Sequence, residues 1–461
     1  MSERSALSIG VRSALGVWNF RSTFILAMIA SAIGLGNLWR FSYLAAEHGG
    51  APFVLSYLLA LLLVAVPVLV AEIVIGSHGR SSPIISMNWA VERAEANPAW
   101  RLLGWMATLT AVLILSYYAV VAGWSLAYFG KMQSGMFAGA SAAQVAAEFT
   151  TFLSDPVEMV FWQSLFLGAV MFIVTLGVRV GLGMLFWLLF PCLVALLLVL
   201  IDFSLEHGDV EAAQSFLFGY DPWHFSAYSV LAALGHAFFT LSVGVGAGMM
   251  FGAYAPERIP IVRTVTAVAL LDTIFALAAG LAIFPIVFGS NMQPAVGPGL
   301  MFISLPYAFG NMHEGEFFGS LFFVLVGLAT LGTAVCLAEV GVSYLVQRFK
   351  LRRLYAVLLL TPLIWVLGVG SILSFNHWSD GIAGSGMTFF QLIERLSADI
   401  LLPLTALLIA IFVGWVMRRE VIRVELYRED EQIFTFWRWS LRWLVPTAIL
   451  AILVATIIGI L

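Results

Sequence analysis

Apolar residues recur along the chain in runs of about 20 or more, long enough to cross a hydrocarbon core of about 30 Å at about 1.5 Å per helical residue. Windowed hydropathy places these runs at 22–46, 51–78, 102–130, 160–178, 181–204, 228–254, 262–289, 317–348, 351–373, 389–416 and 439–461. The pattern predicts an all-α membrane protein of eleven transmembrane helices, here called spans 1 to 11. The first 21 residues are polar and basic, with no short apolar core or cleavage site, and read as a cytoplasmic tail. Residues 22–461 then form a single transmembrane domain.

Polar and helix-breaking residues inside these runs carry the information, because an unpaired backbone group or charge in hydrocarbon costs several kcal/mol. Four stretches stand out: "SAIGLGNLWRF" (31–41) in span 1, "FFTLSVGVGAG" (238–248) in span 6, Asp272 in span 7, and "GLATLGTAVCLAE" (327–339) in span 8. Counting along each span puts Gly34 and Gly36, and likewise 240–246, near the membrane midplane. Span 1 and span 6 would run in opposite senses. Spans 1–5 (about 22–204) and 6–10 (about 228–416) are therefore expected to form two inverted-topology repeats unwound in helices 1 and 6, with 439–461 as an extra helix. Matched interruptions of this kind point to a transport site at the repeat interface.

Composition agrees: 61% of the 461 residues are hydrophobic and 10% are charged. The distribution of charge says more than its total. With the N-terminus inside, all of the 22 Lys/Arg except Arg40, Lys131 and Arg395 fall on the cytoplasmic side, while "LEHGDVEAAQ" and "NMHEGEFF" put acids outside. The positive-inside rule then gives a multi-pass protein of the plasma membrane with a cytoplasmic N-terminus and the lipid bilayer as its surroundings. No nucleic-acid partner is expected. Cys192 and Cys336 both lie in apolar runs, which argues against a disulfide framework. No nucleophile with a base and no His/Cys cluster stands at chemical spacing, so the chain does not read as an enzyme.

Each candidate has an ordinary reading beside the functional one. Gly244-x-x-x-Gly248 is also a pattern for close helix packing. In span 1, however, glycine coincides with Asn37 and Arg40, which lipid would reject. An unwound segment frees carbonyl oxygens that suit a hard cation such as Na⁺ and amides that suit a carboxylate. Arg40 either snorkels to the interface or pairs with Glu394 across an outer vestibule. His236, one turn from Thr240, could bond the same arginine. Tyr117 reads as packing. Asp272 is expensive inside a span unless paired or on a cation, and cation coordination is the better reading. Glu72 and Glu339 read as structural anchors for the broken helices.

"AIGLGNLWRF" followed by "HGGAPF", then "YY" and Trp124 in span 3, "FFTLSVGVGAG" in span 6 and "DT…AGLAIFP" in span 7 resemble the neurotransmitter:sodium symporter family. The resemblance runs in order from about residue 18 to the end, and the eleven spans are similar to its bacterial branch, which implies a bacterial inner membrane. It implies a sodium-coupled symporter of a neutral, hydrophobic amino acid working by alternating access, with spans 1, 2, 6 and 7 moving against a scaffold that includes spans 3 and 8. Carried over by position, a first Na⁺ would be held by Ala32, Asn37, Thr240 and Asp272. A second would be held by Ala30, Ile33, Ala329 and Thr333, making one or two ions. The substrate would meet Ser31, Ala32, Leu35, Gly36, Ile114, Tyr118, Phe239, Thr240, Ser242, Val245, Thr333 and Leu337, with Cys336 beside them. Arg40, Glu394 and the aromatic lid Phe239 would form the outer gate.

Glycine at 34, where monoamine carriers place Asp, implies a substrate that brings its own carboxylate. Asp272 with Ala276, instead of a neutral residue with serine, implies that chloride is not needed. A β-amino acid, taurine or betaine, or an amino-acid sensor that does not transport, would fit the same pocket, and the oligomeric state is not legible. Departures from the family pattern are also visible. Gly332 removes an oxygen from the second ion site, Arg12 lies six residues before Trp18 rather than in the inner-gate register, and Gln347 replaces that gate's acid while Tyr254 is kept. His236 replaces glutamine, and Ser42 replaces a proline.

Overall fold

The computed structural model describes residues 18, 20–219, 226–256, 259–290, 297–381 and 386–458. Its helices follow the apolar runs, as they must where no water is available to satisfy backbone groups. Among the described residues, nine helices are long and apolar enough to cross a membrane: Ala51–Gly79, Pro98–Gln133, Pro156–Thr175, Val178–His207, Ile261–Gly289, Gly315–Phe349, Arg353–Leu373, Phe389–Val416 and Glu431–Thr456. A tenth span is the pair Arg21–Ala32 and Gly36–Glu47, bent by 46° at its break. The sixth expected span is divided into Ala227–Thr240 and Ala247–Tyr254, each short of a full crossing.

Boundaries shift where local chemistry overrides hydropathy. Span 4 begins at Pro156 rather than 160, because Asp155 accepts from the amides of Val157 and Glu158 at 2.9 and 3.1 Å and proline fits the first helical position. It ends at Thr175, just before Gly177 turns to φ +88°. Span 11 starts at Glu431, eight residues before the apolar run at 439, because the amphipathic turn Glu431–Trp439 continues straight into it.

Burial separates scaffold from envelope. The apolar window of span 3 is 89% buried and that of span 5 only 28%, so span 3 is a central post while span 5 lies at the periphery. Span 8 packs along span 3. The helices that carry the interruptions lie against this pair.

Candidate functional site

The span 1 break follows from its hydrogen bonds. Helical bonding ends with Ile33 N donating to Ile29 O at 2.8 Å, and Ile33 turns to ψ 109°. The amides of Gly34 and Leu35 would then bond the carbonyls of Ala30 and Ser31. They donate instead to Asn37 Oδ1 (3.2 Å) and Tyr118 Oη (3.3 Å). The Ala30 and Ser31 carbonyls are thereby released from helical bonding at the break. Thr333 in span 8 reaches into the gap, its Oγ1 donating to Ser31 O at 2.9 Å and lying 3.4 Å from Ile33 O.

Span 6 breaks by a different device. Ser242, Gly244 and Gly246 all take positive φ (52°, 85° and 77°), a region that glycine enters at little cost. Glu72 in span 2 caps the restarted helix, accepting from Gly244 N at 2.6 Å and Gly248 N at 3.1 Å. The close-packing reading of these two glycines is also physically correct. A Cβ at Gly248 would stand 2.7 Å from that of Glu72, and one at Gly244 would stand 2.5 Å from Leu402 O.

The two breaks meet at Asp272. Its Oδ1 accepts from Asn37 Nδ2 at 2.8 Å, and its Oδ2 accepts from Thr240 Oγ1 at 3.0 Å and Tyr57 Oη at 3.1 Å. Asn37 Nδ2 also reaches the Asp272 carbonyl at 3.1 Å. Every neighbour donates, which is the setting of a carboxylate, and all four side chains are buried. Four spans (1, 2, 6 and 7) are thus tied to one acid. Tyr57 was not foreseen, since a tyrosine in span 2 gives no sign of which distant acid it will meet.

The remaining candidates gather around Gly34 and Gly36. A Cβ on Gly34 would lie 2.5 Å from Thr333 Oγ1 and 2.7 Å from Tyr118 Oη, while one on Gly36 would lie 3.4 Å from Thr240 Oγ1 and 3.6 Å from the Phe239 ring. Spans 1, 3, 6 and 8 therefore converge within one side chain's reach. Ala30, Ala32, Ile114, Ser242, Val245, Ala329, Cys336 and Leu337 are buried in the surrounding core. Gly332 allows span 1 to come close, since a Cβ there would stand 2.5 Å from Ala30 O. The missing hydroxyl is thus matched by a carbonyl packed where the side chain would begin.

Above Gly34 a small cavity is lined by Arg40, Tyr117, Phe239, Phe390 and Glu394 among others. The Arg40 guanidinium carbon lies 4.6 Å over the Phe239 ring, a cation–π contact. Among the described residues no ion pair within 4 Å joins Arg40 to Glu394. Nor does His236 bond Arg40. The imidazole is buried with neither nitrogen partnered among the described residues, and it packs as an aromatic against Phe41, Phe53 and Tyr57 at centroid distances of 5.9, 6.1 and 5.1 Å. Tyr117 packs edge-on to Phe390.

At the other end of the site, Trp18 donates from its amide to Tyr254 O (3.1 Å) and from Nε1 to Val178 O (3.2 Å). Glu339 accepts from Tyr254 Oη at 2.5 Å and pairs with Arg353, a residue that the sequence did not single out. Gln347 caps the Ser82 amide at 2.7 Å. Arg12 lies outside the described residues.

Comparison with known proteins bears on the whole chain. Residues 16–142 and 145–460 match the Sodium:neurotransmitter symporter family. An uncharacterized sodium-dependent transporter, YhdH, of Bacillus subtilis (strain 168) is 32% identical over 447 residues, covering 96% of this chain and 98% of that protein. Sodium-dependent nutrient amino acid transporter 1 of Drosophila grimshawi is 23% identical over 502 residues, covering 95% and 75%. Among solved structures, MhsT in complex with L-phenylalanine matches with a TM-score of 0.87 at 37% identity, covering 95% of this chain and 99% of that one. At this coverage and identity the chain belongs to the sodium:neurotransmitter symporter family, a family of sodium-coupled membrane transporters rather than enzymes.

Proposed function

We propose that this protein is a symporter driving a neutral, hydrophobic amino acid across a bacterial inner membrane by alternating access, with a cytoplasmic N-terminus. One observation carries the reading: a buried carboxylate, Asp272, ties four spans together beside a helix break whose carbonyls are released. Na⁺ takes hard oxygen ligands, and Asn37, Thr240 and Asp272 with the Ala32 carbonyl offer them. The substrate's own carboxylate completes that shell, meeting the amides of Leu35 and Gly36 and the hydroxyl of Tyr118. Ion and substrate then bind cooperatively because each supplies part of the other's site. Ile114, Phe239, Ser242, Val245, Thr333, Cys336 and Leu337 form a mostly apolar side-chain pocket. A second ion at the carbonyls of Ala30, Ile33 and Ala329 with Thr333 has no carboxylate and lacks an oxygen at Gly332, so it binds more weakly than the first.

The test is thermal unfolding of the purified protein with each of the twenty amino acids, with taurine and with betaine, in Na⁺ and in K⁺. A ligand at about 100 times its Kd adds about 2.7 kcal/mol to stability. Stabilisation by apolar amino acids in Na⁺ alone supports the reading. Stabilisation by taurine or betaine instead changes the substrate class, and sodium-independent binding removes the coupling.

Chloride independence follows from the fixed charge of Asp272, which supplies the anion that a neutral residue would need from solution. Uptake into proteoliposomes should run at the same rate in sodium gluconate as in sodium chloride. A fall to background in gluconate would refute this.

A further inference from the structure

Span 10 contains a π-helical turn over Arg395–Leu401, directly after Glu394. An α-helix advances about 100° per residue, so residues five apart point about 140° away from each other around its axis. A π turn hydrogen-bonds i to i+5 and brings such residues close to one face. Glu394 and Asp399 are five apart. Both are partly buried, and both act electrostatically on the Arg40 guanidinium. The other cation near Asp399, Arg395, donates from Nη2 to Thr456 O at 3.2 Å in span 11.

Arg40 is clamped to neither acid. Among the described residues no ion pair within 4 Å joins it to Glu394 or Asp399. Its Nε is buried without a partner, and its guanidinium rests over Phe239. Glu394 lines the cavity beside Phe239, and Asp399 follows it by one π turn along the span. A cation moving in so dry a place loses several kcal/mol whenever it leaves one counter-charge before reaching the next. Two carboxyl groups one turn apart on a common face remove that gap.

We propose that Asp399 is a second acidic station for Arg40, and that the guanidinium steps from Glu394 to Asp399 as this side of the substrate site closes. The π turn is what sets the two stations on one track. Asp399 is a positioning residue, acting through Arg40 and touching neither ion nor substrate. The proposal rests on the symporter reading and on Arg40 as its gate.

The test compares wild-type protein, Asp399→Asn and Asp399→Glu in proteoliposomes, measuring initial Na⁺-driven uptake and, separately, equilibrium substrate binding in Na⁺. Asp399→Asn should keep substrate Kd within about threefold while uptake falls about tenfold or more, a split expected of a lost closing step. Asp399→Glu, which keeps the charge, should restore uptake to within about threefold of wild type. The proposal is overturned if the Asn variant transports normally, if it loses binding in parallel with uptake, or if folded Glu variant is as inactive as Asn. Thermal unfolding monitors the fold, and Asp399→Ser replaces Asn should Asn not fold. Wild-type protein without Na⁺-driven uptake refutes the symporter reading and this step together, whereas active wild type with an unaffected Asn variant refutes the second station alone.

Discussion

Replacing Asp272 with alanine is expected to abolish Na⁺-dependent substrate binding and uptake. The carboxylate accepts from Asn37, Thr240 and Tyr57 in three other spans, and nothing else among the described residues supplies negative charge at that junction. Removing one partner of a buried charged cluster costs about 3–5 kcal/mol. That is about two to four orders of magnitude in affinity. The measurement is equilibrium binding across a Na⁺ titration, with the unfolding temperature as a control for the fold. If the alanine variant kept its substrate affinity and its sodium dependence, Asp272 would not hold the coupled ion.

Loss of Glu72 should be nearly as severe, but through the fold. The side chain takes the amides of Gly244 and Gly248 at the point where span 6 restarts, inside the bilayer and away from water. Glu72→Ala leaves two buried donors unsatisfied, at about 1–3 kcal/mol each. Glu72→Gln keeps one acceptor oxygen and should lose about half as much. Thermal unfolding in the absence of substrate reads the effect directly. An alanine variant as stable as wild type would mean that the broken helix is held by other contacts.

These two acids show how far the chain could be read from its letters. An Asp and a Glu inside apolar spans announce themselves, because hydrocarbon tolerates neither without a partner. The roles were separable as well: Glu72 reads as an anchor for a broken helix, which its bonds to the span 6 break bear out. The partners were not separable. Tyr57 lies in span 2 and Asp272 in span 7, and no spacing relates them. Arg353 reads as one of several basic residues after span 8, yet it pairs with Glu339 beneath Tyr254. His236 reads as a hydrogen-bonder, but it is enclosed by aromatic rings that offer it no partner.

Departures from pattern gained meaning only in three dimensions. Gly332 looks like a lost ligand in the sequence. In the structure it is also a clearance, because the Ala30 carbonyl lies 2.5 Å from where its Cβ would stand. The π turn of span 10 leaves no mark in the hydropathy, so Asp399 was passed over while Glu394 was not.

The sequence by itself determined the membrane setting, the approximate positions of the long helices, the breaks in spans 1 and 6 and the family. All of these depend on local quantities, namely run length, glycine placement and the cost of a charge in lipid. Only the tertiary structure decided which donors converge on Asp272, what caps the second break, how closely span 1 approaches span 8 and that a π turn follows Glu394 in span 10. Those contacts join residues scores to hundreds of positions apart, and the twist and tilt that align them are set by packing among helices rather than by any one helix's own residues.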